Sequence, residues 1–178
     1  LAPGLEVLDL YCYSGGFSLA AALAGAAQVT GVDSSEAALA LGTAAAKLNR
    51  VDDRLRFEKG EAFGLLESAA RGQRRWGLVI CDPPAFVKAK KDLAVGLRGY
   101  RKLARLASSV VAPGGFLVIA SCSHHVSAGD FASEVAAGIA TTGRTGRILR
   151  SSGAGADHPV HPLLPESAYL KLQALQLD

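Results

Sequence analysis

The sequence predicts an α/β fold in which a mostly parallel sheet carries helices on both faces. Three observations support this prediction. Short apolar, β-branched runs alternate with Ala- and Leu-rich stretches of helical period, short turns separate them, and acidic or small polar residues follow several of the predicted strands. Strands that alternate with helices in this way pair in parallel, because each helix returns the chain to the same edge of the sheet.

Seven segments have strand character. They are Glu6 to Tyr11, Gln28 to Val32, Arg54 to Glu58, Trp76 to Cys81, Phe116 to Ala120, Gly146 to Arg150 and Tyr169 to Leu177. A Gly-, Pro- and His-containing loop, rather than a helix, separates the last two. These two strands can therefore pair antiparallel at one edge of the sheet.

Five segments between these strands predict helices. They are Phe17 to Leu23, the stretch from Ser34 to about Asn49, the stretch that ends at Ala70, the apolar stripe from Leu93 to Val110, and the face formed by Phe131, Val135 and Ile139. Ser34 is the predicted N-cap of the second helix, because its side-chain oxygen can accept a free backbone N–H. The lysine-containing stretch from Val87 to Asp92 predicts an exposed loop.

Length and composition limit the function classes. The 178 residues suit one domain, and 49% hydrophobic with 20% charged residues is a globular composition. No apolar run approaches the ~18 residues that span a bilayer, and no leader precedes the first strand, so we expect no membrane association. Since the chain begins at Leu1 directly before a strand, we expect a catalytic domain, residues 1–178, from which an upstream segment is missing.

The cysteines and the net charge bear on compartment and partners. The 3 cysteines, Cys12, Cys81 and Cys122, are widely spaced and form no CxxC pair. This pattern favours neither a disulfide framework nor a metal site and predicts reduced thiols in the cytoplasm. A net charge of +3 is compatible with nucleic acid without requiring it. The sequence leaves the oligomeric state open, a homodimer included.

A glycine pair after the first strand is the first candidate ligand site. In the segment DLYCYSGGF, Gly15 and Gly16 allow the backbone to approach a ligand. The GxGxxG spacing that seats a pyrophosphate is absent, which disfavours NAD and FAD. Asp33, after the second strand, can accept both hydroxyls of a ribose. An adenosine ligand without pyrophosphate fits, and S-adenosylmethionine is the candidate.

A plainer interpretation of these residues is a tight turn at the glycines and a helix cap at Asp33. Glu61, after the third strand, favours the ligand instead, since a second acidic residue at a strand end could meet the adenine amino group.

Motifs in one order along nearly the whole chain resemble a known family. They are DLYCYSGGF, GVDSS, CDPPAF, RGY, SCS, ADHP and PESAYLK. The chain resembles the catalytic domain of bacterial 23S ribosomal RNA cytosine-5 methyltransferases of the large-subunit methyltransferase I type. The resemblance implies a Rossmann-like class I methyltransferase fold with seven strands and an antiparallel last strand, an rRNA substrate, and a PUA-type RNA-binding domain ahead of this one. The cofactor-binding set is then Asp9, Tyr11, Tyr13, Ser14, Gly15, Gly16, Phe17, Asp33, Ser34, Glu61, Ala62 and Asp82.

Cys122 and Asp82 are the candidate catalytic residues. Carbon 5 of cytosine is a poor nucleophile, so its methylation requires a thiolate that adds to carbon 6, an acidic group near N3, and a base. Cys122 ends the fifth strand between two serines, a motif similar to the nucleophile site of related RNA cytosine-5 methyltransferases, and its thiol should be activated. The alternative is an inert thiol, as we expect for Cys12 and Cys81. Asp82 opens a rigid Asp-Pro-Pro loop and could donate to N3; its alternative is a turn or cap residue.

The candidate substrate-binding residues include several near that loop in the sequence. Phe86 could stack on a flipped base, and basic residues such as Lys90, Lys91 and Arg101 could meet phosphates or form an ordinary solvated surface. The substrate-binding set is Pro83, Pro84, Phe86, Lys88, Arg98, Tyr100 and His158. His124, His125 and His158 could each serve as a base or be structural. Ala85 stands where two-cysteine relatives have a second cysteine and where the resembled family often has Lys, so product release would need a base or water.

Three other functions compete with this one. A guanine-N7 RNA methyltransferase has a similar Asp-Pro-Pro loop, but Cys122 disfavours it. A non-catalytic S-adenosylmethionine-binding module for ribosome assembly would not need Asp82 and Cys122. An NAD-linked enzyme lacks the pyrophosphate glycines.

Overall fold

The computed structural model describes all 178 residues and contains one seven-stranded sheet. The strands are β1 (Glu6–Leu10), β2 (Gln28–Asp33), β3 (Leu55–Lys59), β4 (Trp76–Cys81), β5 (Val111–Ser121), β6 (Gly146–Ser152) and β7 (Lys171–Leu177). Their order in the sheet is β3-β2-β1-β4-β5-β7-β6. β7 pairs antiparallel with both β5 and β6, and the other pairs are parallel. The predicted mostly parallel sheet with an antiparallel last strand is confirmed.

Five α-helices cover the sheet on both faces, as predicted. They are α1 (Gly16–Leu23), α2 (Glu36–Leu48), α3 (Ala62–Arg71), α4 (Leu93–Ser109) and α5 (Ala128–Ala140). Alternate residues of a strand point to opposite faces. Val7 accordingly joins the core that α1 and α2 cover, while Leu8 joins the larger core beneath α3, α4 and α5. No helix is both long and apolar enough to cross a membrane.

Two local predictions were wrong. Ser35, not Ser34, caps α2, because its Oγ accepts the Ala38 N–H at 3.3 Å. Asp33 accepts the Ser35 N–H and prolongs the turn, so the helix begins one residue later than the pattern suggested. Val87 is buried in the larger core and is therefore not part of an exposed loop, while Lys88 beside it is exposed.

Candidate active site

The central strands bring the candidate residues together at the carboxyl ends of the strands, an end of the sheet that we call the reaction edge. β2, β1, β4 and β5 are neighbours, and their register aligns Leu10 with both Val32 and Cys81. Because these strands are parallel, the segments that follow them lie side by side. This end of the sheet therefore holds the glycine loop (residues 11–17), Asp33, Asp82 and Cys122. Ligands of such sheets bind there.

The glycine loop has an unusual backbone. Tyr11, Tyr13 and Gly15 all adopt positive φ, at 61°, 48° and 82°. For a tyrosine this left-handed conformation costs on the order of 1–3 kcal/mol, so the surroundings must impose it. Asp33 supplies one restraint, since its Oδ2 accepts the Tyr13 N–H at 2.9 Å.

The Asp33 carboxylate combines the two roles that the sequence left open. Its Oδ1 accepts the Ser35 N–H at 2.9 Å, which makes the turn into α2, while Oδ2 holds the glycine loop. Asp33 is only half-buried. A carboxylate oxygen can accept more than one hydrogen bond, so each oxygen retains capacity for a ribose hydroxyl.

Packing requires a glycine at position 15. A Cβ on Gly15 would lie 2.4 Å from the Phe57 ring, and Gly31 and Gly42 face the same ring at 2.7 Å. The lack of a side chain at these three glycines therefore leaves the space that the Phe57 ring occupies. Gly16 is exposed with nothing near it. Gly15 thus has a packing role that the sequence did not reveal, because Phe57 belongs to β3, and close approach of a ligand to the glycine pair stays a prediction.

Asp9 lies beneath this loop and is fully buried. Its Oδ2 accepts a 2.6 Å hydrogen bond from the Ser18 hydroxyl, but Oδ1 has no partner. Burial, with smaller contributions from Asp82 and Asp33, raises the pKa of Asp9 to about 7. An unpartnered buried carboxylate oxygen is costly, and a nearby cationic group would satisfy it.

The other residues of the predicted cofactor set differ in exposure. The rings of Tyr13 and Phe17 are exposed, Ser14 and Tyr11 are half-buried, and Ser34 is exposed. Glu61 lies at the N-cap of α3, two residues beyond β3, and contributes to raising the pKa of Tyr11, for which burial is the largest cause. Ala62 packs its side chain in the larger core, so only its backbone could meet a ligand.

Asp82 and Cys122 lie close together across the β4–β5 boundary. The Cys122 Sγ is 3.8 Å from the carbonyl oxygen of Pro83, and both Asp82 and Cys122 are half-buried. Burial raises the pKa of Asp82, while His158 nearby lowers it. Pro83 is buried and Pro84 exposed, so the rigid loop is anchored on one side.

The expected activation of Cys122 is not a property of the free protein. Burial, and then the charge of Asp82, raise the pKa of its thiol, and Lys171 opposes this. Burial also raises the pKa of Cys12, to about 12, and that of Cys81. Cys122 is nevertheless the only one of the three that is not buried.

A buried hydrogen-bond network holds the thiol turn (residues 121–123). The Tyr100 hydroxyl lies 2.8 Å from both the Ser121 and the Ser123 Oγ, and Ser123 Oγ also accepts the Val87 N–H. Lys171 Nζ donates to the Ser123 carbonyl at 2.7 Å and to the Val126 carbonyl at 2.9 Å. The serines on either side of Cys122 therefore connect β5 with α4, the Asp-Pro-Pro loop and β7.

One predicted substrate residue, Tyr100, belongs to the interior, and a second, Phe86, is partly buried against it. Tyr100 is fully buried, and its position in the apolar stripe of α4 is the sequence signal that could have revealed this. The Phe86 ring packs 4.7 Å from that of Tyr100 and 6.2 Å from that of Phe63. Phe86 is only partly buried, so stacking of a base on its exposed part stays a prediction.

The remaining predicted substrate residues lie at the surface. Lys88 and Arg98 are exposed, on the loop after Phe86 and on α4. His158 is exposed and 3.2 Å from the Asp157 carboxylate. His124 stacks on Tyr169 with ring centroids 4.4 Å apart. No sequence pattern indicated this pair, because the two residues belong to separate segments.

Comparisons with known proteins relate this architecture to a family. Residues 1–149 match the sequence model of the S-adenosylmethionine-dependent methyltransferases. Ribosomal RNA large subunit methyltransferase I of Tolumonas auensis is 37% identical over 96% of the chain and 43% of its own length. The namesake protein of Serratia proteamaculans is 35% identical with the same coverage. The chain thus spans less than half the length of these relatives.

A solved structure supports the same relation. The chain superposes with a TM-score of 0.84 and 26% identity on SMU.776, described as a methyltransferase and crystallised with SAH. The alignment covers 98% of this chain and 46% of that one. The likeness therefore extends over the sheet, its helices and the edge at which the candidate residues meet.

Proposed function

Because the chain belongs to the S-adenosylmethionine-dependent methyltransferases, we propose that it methylates carbon 5 of a cytosine in large-subunit rRNA through a covalent bond to Cys122. One observation carries the proposal: the half-buried Cys122 thiol lies beside the Asp82-Pro83 segment, at the strand edge that also holds the glycine loop. The names of the curated relatives support rRNA as the substrate.

The glycine loop and the acidic residues around it are suited to the cofactor. S-adenosylmethionine supplies an electrophilic methyl group on a sulfonium, and it also carries an ammonium group and an adenosine. Asp33 would accept the ribose hydroxyls, and the unpartnered Oδ1 of Asp9 would face the positive charge. Glu61 would accept from the adenine amino group, next to the half-buried Tyr11.

Asp82 and Cys122 divide the activation of cytosine between them. The Cys122 sulfur forms a bond to carbon 6, and Asp82 gives its proton to N3, so the electron pair of the 5,6 double bond becomes available at carbon 5. Carbon 5 then takes the methyl group, and the bond from that methyl to the sulfonium breaks with its electron pair left on sulfur. Removal of its proton re-forms the double bond and expels the Cys122 thiolate, while N3 returns its proton to Asp82.

The raised pKa of Asp82 links these two roles. A carboxyl that stays protonated can donate to N3. Once neutral, it no longer repels the Cys122 thiolate, whereas the Lys171 charge that favours the thiolate remains. A protonated Asp82 would therefore serve N3 and would also remove one of the two causes that raise the pKa of the Cys122 thiol.

Proton removal from carbon 5 requires a base other than a second cysteine, because position 85 is alanine. His158 is one candidate, because it lies near enough to Asp82 to affect the pKa of that carboxyl and because its neutral form can accept a proton. Water is the alternative acceptor. An rRNA substrate would place the reaction in the cytoplasm.

A direct test is methyl transfer from labelled S-adenosylmethionine to unmodified large-subunit rRNA, followed by mapping of the modified base. We expect label at carbon 5 of a cytosine with the wild-type chain and none with Cys122→Ser. Label on guanine N7, or undiminished transfer by Cys122→Ser, would exclude the proposed chemistry. Binding of the cofactor without any transfer would favour a non-catalytic module.

A further inference from the structure

A groove adjoins the reaction centre on the side of the Asp-Pro-Pro loop, and the predicted catalytic set does not include its lining. It has a volume of about 620 Å³, within the roughly 300–1,000 Å³ typical of small-ligand sites. Its walls include Ala85, three residues after Asp82, and His124, two residues after Cys122. The groove is therefore lined by the chain segments that directly follow the two candidate catalytic residues.

The lining combines an aromatic surface with one charge of each sign. His124 and Tyr169 stack with centroids 4.4 Å apart and an interplanar angle of 27°. Lys88 and Glu166 lie on the same groove, both exposed and neither in a salt bridge. The groove thus offers the flat surface of the His124–Tyr169 pair, together with the ammonium of Lys88 and the carboxylate of Glu166.

These features together fit a nucleotide better than a simple anion. Bases of any kind stack on aromatic side chains, and a lysine can pair with a phosphate. The Glu166 carboxylate would repel a free anion but can accept a hydrogen bond from a base amino group. We propose that this groove binds the nucleotide next to the target cytosine, with its base stacked on the His124–Tyr169 pair and its phosphate near Lys88.

This subsite rests on the proposed function for the identity of its ligand, because the flanking nucleotide exists only if RNA is the substrate. It gives the His124–Tyr169 pair a role in holding RNA rather than in chemistry. Such a subsite would let a chain with a net charge of only +3 orient single-stranded RNA through stacking rather than through many phosphate contacts.

The test uses the full chain and a fluorescent ten-nucleotide oligocytidylate, which presents a neighbour to every cytosine. We expect Tyr169→Ala and His124→Ala each to weaken binding by about tenfold, which is about 1.4 kcal/mol and lies within the roughly 1–3 kcal/mol of one stacked base. Tyr169→Phe retains the ring and should bind as the wild type does. Leu163→Ala is the matched control, because Leu163 is 81% exposed in the same connecting segment and does not line the groove.

Affinity for S-adenosylhomocysteine, measured by calorimetry, separates the outcomes. It should be unchanged in all four variants. Wild-type-like binding of the oligonucleotide by His124→Ala would overturn the subsite, whatever Tyr169→Ala does, because exposed His124 can be truncated without disturbing the core. If the two alanine variants lose binding while the wild type transfers no methyl group to RNA cytosine, the groove stands as a nucleotide site and the proposed reaction fails.

Discussion

The two sides of the candidate active site, the glycine loop and the thiol turn, are built in different ways. The glycine loop is held mainly by backbone: Tyr11, Tyr13 and Gly15 lie in the left-handed region, and Asp33 accepts a loop N–H. The thiol turn is held by side chains, through the Tyr100, Ser121 and Ser123 hydroxyls and the Lys171 ammonium. One side stores strain, whereas the other is fully hydrogen-bonded.

The glycine loop and the thiol turn also differ in whether their buried polar atoms have hydrogen-bond partners. The only buried side-chain oxygen or nitrogen without a partner is Asp9 Oδ1, beneath the glycine loop. Around the thiol turn every buried hydroxyl is bonded. An unpaired carboxylate together with a strained loop is suited to a ligand that supplies the missing partner, whereas a satisfied network is suited to fixing one reactive atom.

The largest expected effect separates the two sides by their cysteines. Cys12→Ser on the glycine loop should leave methyl transfer largely intact, while Cys122→Ser in the thiol turn should reduce it to background. The reason is that only Cys122 can reach carbon 6, since the other two thiols are buried. The measurement is transfer of labelled methyl to rRNA under single-turnover conditions.

Trapping supplies an independent control for this prediction. RNA that contains 5-fluorocytosine should form a stable adduct with the wild type and with Cys12→Ser, because the fluorine blocks loss of the carbon-5 substituent. No adduct should form with Cys122→Ser. An adduct that persists in Cys122→Ser would move the nucleophile elsewhere and end the assignment of the thiol turn as the reactive side.

The second effect concerns the buried acid of the glycine loop. Because the pKa of Asp9 is raised to about 7 from its usual 3.8, the folded state holds this proton more tightly than the unfolded state does. Stability should therefore fall as pH rises from about 4 to about 7, by at most about 4 kcal/mol. Asp9→Asn should remove this fall, which denaturant unfolding across the pH range would measure.

Bound S-adenosylhomocysteine should change that profile, because its ammonium would favour ionised Asp9. Wild-type affinity should then increase between pH 6 and pH 8, and the affinity of Asp9→Asn should not. An unfolding profile for Asp9→Asn that falls as steeply as the wild-type profile would contradict the burial of an unpaired carboxylate.

Asp33 should show the third effect, on cofactor affinity. Asp33→Ala removes the carboxylate that accepts the Tyr13 N–H and that would accept the ribose. We expect calorimetry to show binding of S-adenosylhomocysteine weaker by about 1.5–3 kcal/mol, the range for hydrogen bonds to a charged group. Asp53→Ala makes the same charge change at an exposed site and should bind normally. Equal affinities for the two variants would exclude Asp33 from the cofactor site.

The sequence predicted which residues converge on the site much better than it predicted the contacts that hold them there. Asp33, Asp82 and Cys122 follow predicted strands, and the ends of parallel strands meet by geometry, so their convergence could be foreseen. The fold class could also be predicted, from the alternation of apolar strand segments with stretches of helical period. The packing of Phe57 on Gly15 and the bonds of Tyr100 to Ser121 and Ser123 join residues far apart in the chain. No local pattern encodes such contacts, although the apolar stripe of α4 already indicated that Tyr100 is buried and does not meet the substrate.

The smallest effect tests that misassigned tyrosine directly. Tyr100→Phe keeps the ring that packs on Phe86 and Phe131 but removes the hydroxyl shared by Ser121 and Ser123. Loss of a buried hydrogen-bonding partner should lower the free energy of unfolding by about 1–2 kcal/mol. The matched change Tyr13→Phe, at a ring that is 66% exposed on the glycine loop, should leave it unchanged.

Kinetics decide whether the lost hydroxyl matters beyond stability. If the network fixes Cys122, Tyr100→Phe should lower the rate of methyl transfer and shift the pH profile of thiol alkylation, with the affinity for S-adenosylhomocysteine unchanged. A purely structural hydroxyl would lower stability and leave both the rate and the alkylation profile as in the wild type. A loss of cofactor affinity would instead show that the two sides are coupled, because the thiol turn and the glycine loop would then share one network across β4.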